Sequence, residues 1–574
     1  MFVNKLLKNK TSLSLIIAVI VYSMIWSAIS LLRYYTFHAS VFDLGLTSSL
    51  LYRAFSGHII YGVTSRPIDA NKMIYFIIAP FYDIYPHPSV LLVFQSVFIS
   101  IGAIPLYKIG QKLLKNDRIA LILSLSYLLY YPLSGVNWFD FHFMALFPTL
   151  FLMSIYLWLY NKNKYSLVFV FLAAISDYLV PFILLFYFIF LISRGKKFSY
   201  KPFKYALGVL FIAIGVLAWV NIYYGISYTA GITHLASSSS ATSSGFSLLF
   251  ANFPLKALYI LLIGFPVLFI FLIYPEASIM LIPYIGMEFL YNYLPYFDPV
   301  GYQYPALIIP VIFFATILGL KRLNDLKPKK FDLKNIKKIA VMILVLSIVS
   351  YSIAVPLTVG ISINSENNVP AIKNDITVNY YDRALSNMIR QVPKNSEILI
   401  QDNMPQAAYD TYYHLATSKN ITYYNYSLTD PYSIWFDDNI SLNNKVTLNS
   451  MTWFNSYLLD NYSIIDEEYG MIFMAKNNIN TKNLNSTFMP YSIAINTSVE
   501  KLDQFFIPPG IFYLNDSLNR TVNITINAYN GFNNVIINKT IYKSTIIKTD
   551  LYLYPATITS NANITFYLNQ TSEY

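Results

Sequence analysis

Residues 12–32 read SLSLIIAVIVYSMIWSAISLL, an apolar stretch without a single charged residue. A helix needs about 20 mostly apolar residues to cross the hydrocarbon core of a bilayer. Lys5, Lys8 and Lys10 precede the stretch and Arg33 follows it. We therefore predict a membrane-spanning helix here, and its length without a small-residue cleavage site argues against a cleavable signal peptide.

The composition of the whole chain agrees with a membrane protein. Of 574 residues, 56% are hydrophobic and 12% are charged, whereas soluble proteins have about 25% charged residues. The chain has no cysteine, which excludes disulfides, thiolate metal sites and cysteine nucleophiles. The net charge of +11 is unevenly distributed, with +16 over residues 1–358 and −5 over residues 359–574. Because the excess lies between apolar runs, we predict no nucleic-acid partner.

Further apolar runs predict about eleven spans and their orientation. Nine are single runs, and the stretch 165–193, interrupted by Ser176-Asp177 and Pro181, is interpreted as two short helices. Short loops on one side carry 22 of the 27 basic residues in 1–358, and such loops stay cytoplasmic. We predict a multi-pass plasma-membrane protein with a cytoplasmic N-terminus and an extracellular C-terminal half. The single runs are 12–32, 88–110, 118–134, 143–160, 203–224, 248–273, 276–291, 304–320 and 338–358.

The predicted domains are an α-helical polytopic membrane domain over 1–358, an extracytoplasmic α/β module over 359–485 and a β-sandwich over 486–574. In the module, an amphipathic helical pattern runs into a short apolar strand at residues 397–400. From about residue 490 the apolar residues alternate with polar ones, as in antiparallel strands. Twelve Asn-x-Ser/Thr sequons between residues 420 and 571 fit an exported, glycosylated surface.

The first outer loop, roughly 33–72, keeps cations that the positive-inside trend would place on the other side. Together with Asp43 and His58 they suggest an anion site, because arginine suits bidentate contacts with phosphate. A long loop that simply tolerates charge is the alternative. The cations are Arg33, Arg53, Arg66 and Lys72.

Other predicted outer loops add acids, an imidazole and aromatic rings. Asp140 and His142 lie in the run NWFDFH at 137–142, and Asp177 lies between the two short helices. Tyr302 and Tyr304 begin the span at 304–320. Ionisable residues beside membrane spans are functional candidates by default, and aromatic rings with carboxylates suit a sugar.

Several of these residues carry a resemblance to a known family. The run FDLG at 42–45, Gly57-His58, APFY at 79–82, Gln95 and FDFH at 139–142 occur in the order found in the DUF2079 membrane proteins. The Asp177 turn, residues 302–310 and the run VPKNSEI at 392–398 continue the match. This chain thus resembles the DUF2079 family, which is similar to the GT-C class of glycosyltransferases.

The resemblance implies transfer of a sugar from a polyprenyl-phosphate carrier to an acceptor on the extracytoplasmic face. By position, Asp43 would be the catalytic base, and Arg53, Arg66 and Arg33 would hold the lipid phosphate. Asp140, His142 and Asp177 would orient the acceptor or assist protonation, and Tyr302 and Tyr304 would shape the pocket. The implied partners are membrane lipid, the lipid-linked donor and a glycan or protein acceptor.

The chain departs from the family pattern at two acids. Ser48 stands where a second acid is expected, and Ile175-Ser176-Asp177 stands where Lys-Glu-Asp is expected. No metal ligands are assigned and no cofactor is required, with a divalent cation as the alternative. Two other functions stay open, a lipid or solute transporter (flippase) and a membrane-anchored surface protein without catalysis.

Overall fold

The computed structural model describes residues 10–54, 73–193, 208, 210–212, 214–215, 250–291, 294–326, 333–354, 376–378, 380–415, 424–429, 462–468, 471–476 and eight strands between 492 and 571. The chain forms two compact units. The first, here the helical unit, comprises Met1–Thr36 and Leu50–Thr377. The second, here the sheet unit, comprises Phe37–Ser49 and Val378–Tyr574.

The helical unit is built from apolar helices and short 3-10 turns. Helix α1 packs against α4, and α5 packs against α6 and α8. Serines on these helices donate to carbonyl oxygens of the preceding turn, as Ser96 does to Leu92 and Ser124 does to Ala120, so their hydroxyls are satisfied without water. The α-helices up to residue 354 are α1 Lys10–Tyr35, α2 Leu46–Arg53, α3 Tyr75–Tyr82, α4 Pro88–Ile101, α5 Ala103–Leu114, α6 Asp117–Leu128, α7 Tyr131–Trp138, α8 Phe147–Leu159, α9 Asn163–Ala174, α10 Val180–Ser193, α11 Phe253–Gly264, α12 Pro275–Ser278, α13 Ile282–Tyr291, α14 Ile309–Leu326 and α15 Leu333–Ala354. The first four residues of α2 belong to the sheet unit and its last four to the helical unit.

Fewer helices reach span length than the apolar runs predict. Within the described residues, three helices are long and apolar enough to cross a membrane: Lys10–Tyr35, Pro88–Leu114 and Lys334–Ala354. A fourth candidate is α6 with α7, which meet at a bend of 43°. The predicted count of eleven is not confirmed, and the predicted span at 203–224 lies largely outside the described residues.

The shortfall has a local cause in the chain. Prolines lie in the first turn of α7, α8 and α11, where the missing N–H is tolerated but an upstream helix is stopped. An aspartate-led turn at 175–179 separates α9 from α10. Apolar runs that look continuous by hydropathy are therefore divided into helices shorter than a bilayer is thick.

The sheet unit contains a five-stranded mixed sheet in the order β2-β1-β3-β5-β4. Strand β1 pairs in parallel with β2 and β3, whereas β5 is antiparallel to β3 and β4. Helix α16, Tyr380–Gln391, precedes β1, and the short helix α17, Pro405–Ala408, follows it. This is the helix-and-strand mixture that the sequence predicts for the module. The strands are β1 Glu397–Ile400, β2 Tyr412–Leu415, β3 Tyr426–Thr429, β4 Tyr462–Glu468 and β5 Met471–Lys476.

The last strands form an eight-stranded antiparallel sheet in the order β6-β13-β8-β11-β10-β9-β12-β7. The alternating pattern predicts such strands, and β9 shows it with Ile526 buried and Asn523 and Asn527 exposed. The described strands make one hydrogen-bonded sheet, so the division into two facing sheets stays a prediction. The strands are β6 Ser492–Thr497, β7 Leu502–Ile507, β8 Gly510–Asn515, β9 Thr521–Tyr529, β10 Asn534–Tyr542, β11 Ser544–Thr549, β12 Leu553–Ser560 and β13 Ile564–Thr571.

Candidate active site

In the helical unit, Arg33 and Asp140 form a buried ion pair. Arg33 lies in the last turn of α1, and its Nη1 donates to Oδ1 of Asp140 at 2.5 Å. The Asp140 side chain is 1% exposed and that of Arg33 is 14% exposed. The guanidinium also lies over the Trp138 ring, 5.4 Å from its centroid. The ion pair compensates the cost of burying the carboxylate.

Gln95 holds the loop that carries Asp140. Its Nε2 donates to the carbonyl oxygens of Val136 and Phe139 at 3.1 and 3.0 Å. Its Oε1 accepts the backbone N–H of His142 at 3.2 Å. The imidazole Nδ1 of His142 lies 3.0 Å from the backbone oxygen of Asp140, which turns the ring back onto its own loop. We call Arg33, Gln95, Asp140 and His142 the Arg33 cluster.

Aromatic rings line the same region of the helical unit. The Phe139 ring lies 5.4 Å from the rings of both His142 and Tyr302. Tyr302 is followed by Tyr304, whose ring lies 6.0 Å away. Gly135 of α7 makes this approach possible, because a side chain there would clash with the Val300 backbone. The structure therefore brings Tyr302 next to the loop that bears Asp140 and His142.

Asp177 has a structural contact in the turn between α9 and α10. It is fully buried, and its Oδ1 accepts the backbone N–H of Leu179 at 3.0 Å. The hydroxyl of the adjacent Tyr178 lies 3.3 Å from that of Tyr296, and the Tyr296 ring lies 4.2 Å from Tyr304. Asp177 is thus linked to the tyrosines through its neighbour, and its described contact is that of a turn cap.

Asp43 lies in the sheet unit, on a one-turn π-helix, Val41–Gly45. The π-turn is closed by the Gly45 N–H, which bonds to the Ser40 oxygen at 3.1 Å. The side chain of Asp43 is partly exposed. Single π-turns occur frequently at functional sites, so the backbone form adds to the case for this residue.

Residues from the end of β1 hold this π-helix. Oδ1 of Asp402 accepts the Phe42 N–H at 2.8 Å, and Ser40 Oγ donates to both carboxylate oxygens at 3.0 and 2.9 Å. The Val41 N–H bonds to the Asp402 backbone oxygen at 2.5 Å. We call segment 37–49 together with residues 401–408 the motif seat.

Of the other basic residues predicted in the first outer loop, the structure describes Arg53 alone. Arg53 ends α2 and is buried in the helical unit. His58, Arg66 and Lys72 lie outside the described residues, so their predicted roles stay predictions.

No candidate metal site is found in the described part of the chain. Those residues contain no group of three or more His, Asp or Glu side chains that could hold an ion. Asp140, which would be a natural ligand, faces a guanidinium in the helical unit.

Three polar residues to which the sequence analysis assigns no role in the site are prominent in the structure. Gln95 organises the Arg33 cluster, and Asp402 organises the motif seat. Lys256 of α11 is buried, with its Nζ 5.6 Å from the centroid of the Phe297 ring. Gln95 and Lys256 carried a signal, since each is a polar residue within an apolar run. From the sequence, the polar loop at Gln401-Asp402-Asn403 fits either an ordinary turn or a ligand-binding loop.

The fold and these sites can be compared with known proteins. The crystal structure of ArnT from Cupriavidus metallidurans bound to undecaprenyl phosphate matches with 8% identity and a TM-score of 0.45, over 80% of this chain and 97% of that chain. A likeness at this level carries no argument about function. No curated protein matches the chain.

The family comparison is more informative. The model of the family described as "Predicted membrane protein (DUF2079)" matches residues 33–473. The match begins at Arg33, includes the whole Arg33 cluster and the motif seat, and ends in β5. It spans well over half of the chain, and the predicted resemblance is thereby confirmed. The chain belongs to the DUF2079 family of membrane proteins.

Proposed function

We propose that the protein is a membrane glycosyltransferase of the GT-C type that transfers a sugar from a polyprenyl-phosphate carrier to an acceptor hydroxyl. The observation that carries the proposal is the Arg33 cluster, which is a guanidinium, a carboxylate and an imidazole bordered by aromatic rings at the end of an apolar helix. Such a group suits a donor with a lipid tail, a phosphate and a sugar.

The proposed reaction needs a base and a stabilised leaving group. The carboxylate of Asp43 takes the proton of the acceptor hydroxyl, whose oxygen forms the new bond to the anomeric carbon. The bond between that carbon and the phosphate oxygen breaks, and its electron pair stays on the polyprenyl phosphate. Arg53 and Arg66 stabilise the negative charge that grows on the phosphate.

In this scheme Arg33 contributes hydrogen-bond donors, and its charge is balanced by Asp140. Asp140 neutralises its charge and fixes the guanidinium plane. The other guanidinium N–H groups meet no hydrogen-bond acceptor among the described residues. Arg33 therefore offers oriented donors for a phosphate or a hydroxyl, whereas net positive charge comes from the other arginines. His142, Tyr302 and Tyr304 orient the sugar, and Asp177 supports the adjoining turn.

The test is Asp43→Asn in cells whose native copy is deleted, with cell-surface and lipid-linked glycans profiled by mass spectrometry. General-base catalysis contributes about 100- to 10,000-fold in rate, so we expect the glycan to lack one sugar, as in the deletion strain. Asp325→Asn is the matched control, because Asp325 lies in an exposed i,i+4 pair with Lys321 on α14.

Two results would contradict the proposal. Unchanged glycans in the deletion strain would show that the protein does not transfer a sugar under those conditions. Normal glycans with Asp43→Asn, at normal membrane abundance, would remove Asp43 as the base.

One observation favours transport as the second candidate. The 43° bend between α6 and α7 makes this pair a discontinuous helix, and transporters build their binding sites from such helices. Export of a labelled lipid-linked sugar that stops in the deletion strain, with transfer intact, would favour this alternative.

A further inference from the structure

We propose that Asp402, from the sheet unit, is the positioning residue for Asp43. This inference rests on the proposed function, since it assigns Asp402 a role toward the proposed base. It gives residues 397–408 a part in the reaction, where a surface-domain interpretation would give them none.

The first support is the chemistry of the contact. A buried carboxylate is costly unless hydrogen-bonded, and Asp402 is only 8% exposed. Its oxygens accept from the Ser40 hydroxyl and the Phe42 N–H. The first N–H groups of a helical turn lack an intrahelical carbonyl partner. The Phe42 N–H is shared between Ser40 Oγ at 2.9 Å and Asp402 Oδ1 at 2.8 Å, so Asp402 supplies from a distant strand a second acceptor and also accepts from the capping hydroxyl of Ser40. Asp43 is the next residue after Phe42.

The second support is the packing around Asp402. The π-helix contacts α17, and a side chain on Gly45 would lie 3.1 Å from Cβ of Ala408 and 3.0 Å from Cγ1 of Val41. There is therefore little room for a side chain at residue 45, either toward Val41 or toward Ala408. Hydrogen bonds hold one end of the π-helix and this close contact holds the other, so the backbone of Asp43 is fixed from both directions.

The third support is the position of Asp402 in the sheet. It follows β1, whose two neighbours β2 and β3 are both parallel to it. The chain goes from β1 to β2 on one side and then to β3 on the other. Functional residues of α/β sheets gather beyond the carboxyl ends of strands at such a reversal. Asp402 occupies that position and uses it to hold the FDLG motif.

The first measurement is hydrogen exchange of the full-length protein in nanodiscs, read on peptides that cover residues 37–49. Asp402→Ala removes one of the two acceptors of the Phe42 N–H and the carboxylate that holds the Ser40 hydroxyl, and we expect exchange in this segment to become about tenfold faster. Asp402→Asn keeps an oxygen for the Phe42 N–H and a donor for Ser40 Oγ, so we expect most of the protection to remain.

The matched control is Asp466→Ala. Asp466 is also buried in the five-stranded sheet, where its Oδ2 accepts from Gln391 Nε2 at 2.6 Å. It lies on the edge strand β4, away from β1 in the strand order. We expect this variant to leave the exchange of residues 37–49 unchanged, which separates the specific contact from general loosening of the sheet.

The second measurement is sugar transfer by the same variants. Misplacement of a reacting group by about 1 Å can cost about 100-fold in rate, so we expect about 10- to 100-fold lower transfer with Asp402→Ala. Asp402→Asn restores most of it if the residue positions the motif. Complete loss with Asp402→Asn would instead mean that the charge of Asp402 acts directly.

The outcomes separate this inference from the proposed function. Unchanged exchange of residues 37–49 in Asp402→Ala overturns the positioning role, whatever the glycans show. Faster exchange with normal transfer, while Asp43→Asn abolishes transfer, also overturns it. Unchanged glycans in the deletion strain overturn the transferase alone, because the exchange result does not depend on it.

Discussion

Asp140 in the helical unit lies 2.5 Å from a guanidinium nitrogen, whereas the π-helix that bears Asp43 in the sheet unit is held through its backbone by Asp402. The Arg33 cluster thus consists of paired side chains, and the motif seat fixes a backbone and leaves the acid partly exposed. A carboxylate in an ion pair is a poor base. On the proposed function, this contrast fits substrate binding by the Arg33 cluster and proton removal by Asp43.

The largest effect on stability should come from removing one partner of the Arg33–Asp140 ion pair. Arg33→Met leaves Asp140 buried without its cation, and we expect a loss of about 3–5 kcal/mol in the free energy of unfolding. SDS titration of the purified protein measures it. The double variant Arg33→Met/Asp140→Leu should recover most of the loss, since apolar pairs replace buried ion pairs well.

The control for this experiment is Arg322→Met. Arg322 pairs with Glu276 at 2.9 Å, with side chains 39% and 43% exposed, so removing it should cost less than about 1 kcal/mol. Equal losses for Arg33→Met and Arg322→Met would show that the Arg33 cluster is no more buried than a surface pair.

A smaller effect should follow from adding an acid to the motif seat. Ser48 is fully buried and donates to the carbonyl oxygens of Leu44 and Gly45 at 2.7 and 3.0 Å. Ser48→Asp would set a carboxylate against two carbonyls, and we expect a loss of about 1–3 kcal/mol in unfolding free energy. The variant matches the acid expected from the family pattern, yet it should not raise transfer.

Thr47→Asp is the matched change, because Thr47 is the neighbouring residue and is partly exposed. It should leave stability within about 0.5 kcal/mol. A stable Ser48→Asp variant with higher transfer would mean that residue 48 can take the role of a second acid.

The smallest expected effect is on the pH dependence of the stability of the sheet unit. Burial lowers the pKa of His414, and Glu397 opposes part of that shift. Below the usual histidine pKa of about 6.5, the unfolded chain binds a proton that the folded chain does not yet bind. Stability should therefore fall as pH drops from about 6.5 to the lower folded pKa, and should be level above 6.5.

Unfolding midpoints at several pH values for the wild type and His414→Gln provide the measurement. The variant should have a shallower acid slope by up to one proton. Identical slopes would show that His414 does not contribute to the acid sensitivity of the sheet unit.

The sequence predicted what depends on local pattern. Apolar runs predicted the membrane helices, and alternation predicted the late strands. The structure brings the candidates Arg33, Asp140, His142 and Tyr302 together through direct contacts and the Phe139 ring, and their roles stay predictions; they could be selected because ionisable and aromatic residues beside apolar runs stand out. Their pairing was missed, since Arg33 was assigned to phosphate and is bound to Asp140 in the structure.

The features that the sequence did not predict depend on contacts between residues far apart in the chain. Ser40 and Asp402 are separated by 362 positions, and no periodicity or motif spacing links them. The predicted number of spans is not confirmed, and hydropathy alone does not show breaks such as the 43° bend between α6 and α7. Local pattern identifies candidate side chains, whereas the partner of each is decided by packing.

The bond between Phe42 and Asp402 also sets an order of events during synthesis. The two residues lie 360 positions apart, so at about 5–20 residues per second the ribosome adds Asp402 roughly 20 to 70 s after Phe42. Until then the Phe42 N–H has only the local Ser40 hydroxyl as its acceptor, and that hydroxyl lacks the carboxylate that holds it. On the proposed function, a nascent chain that already has most of its membrane helices is therefore not yet a competent transferase, and a chain that stops before β1 never becomes one.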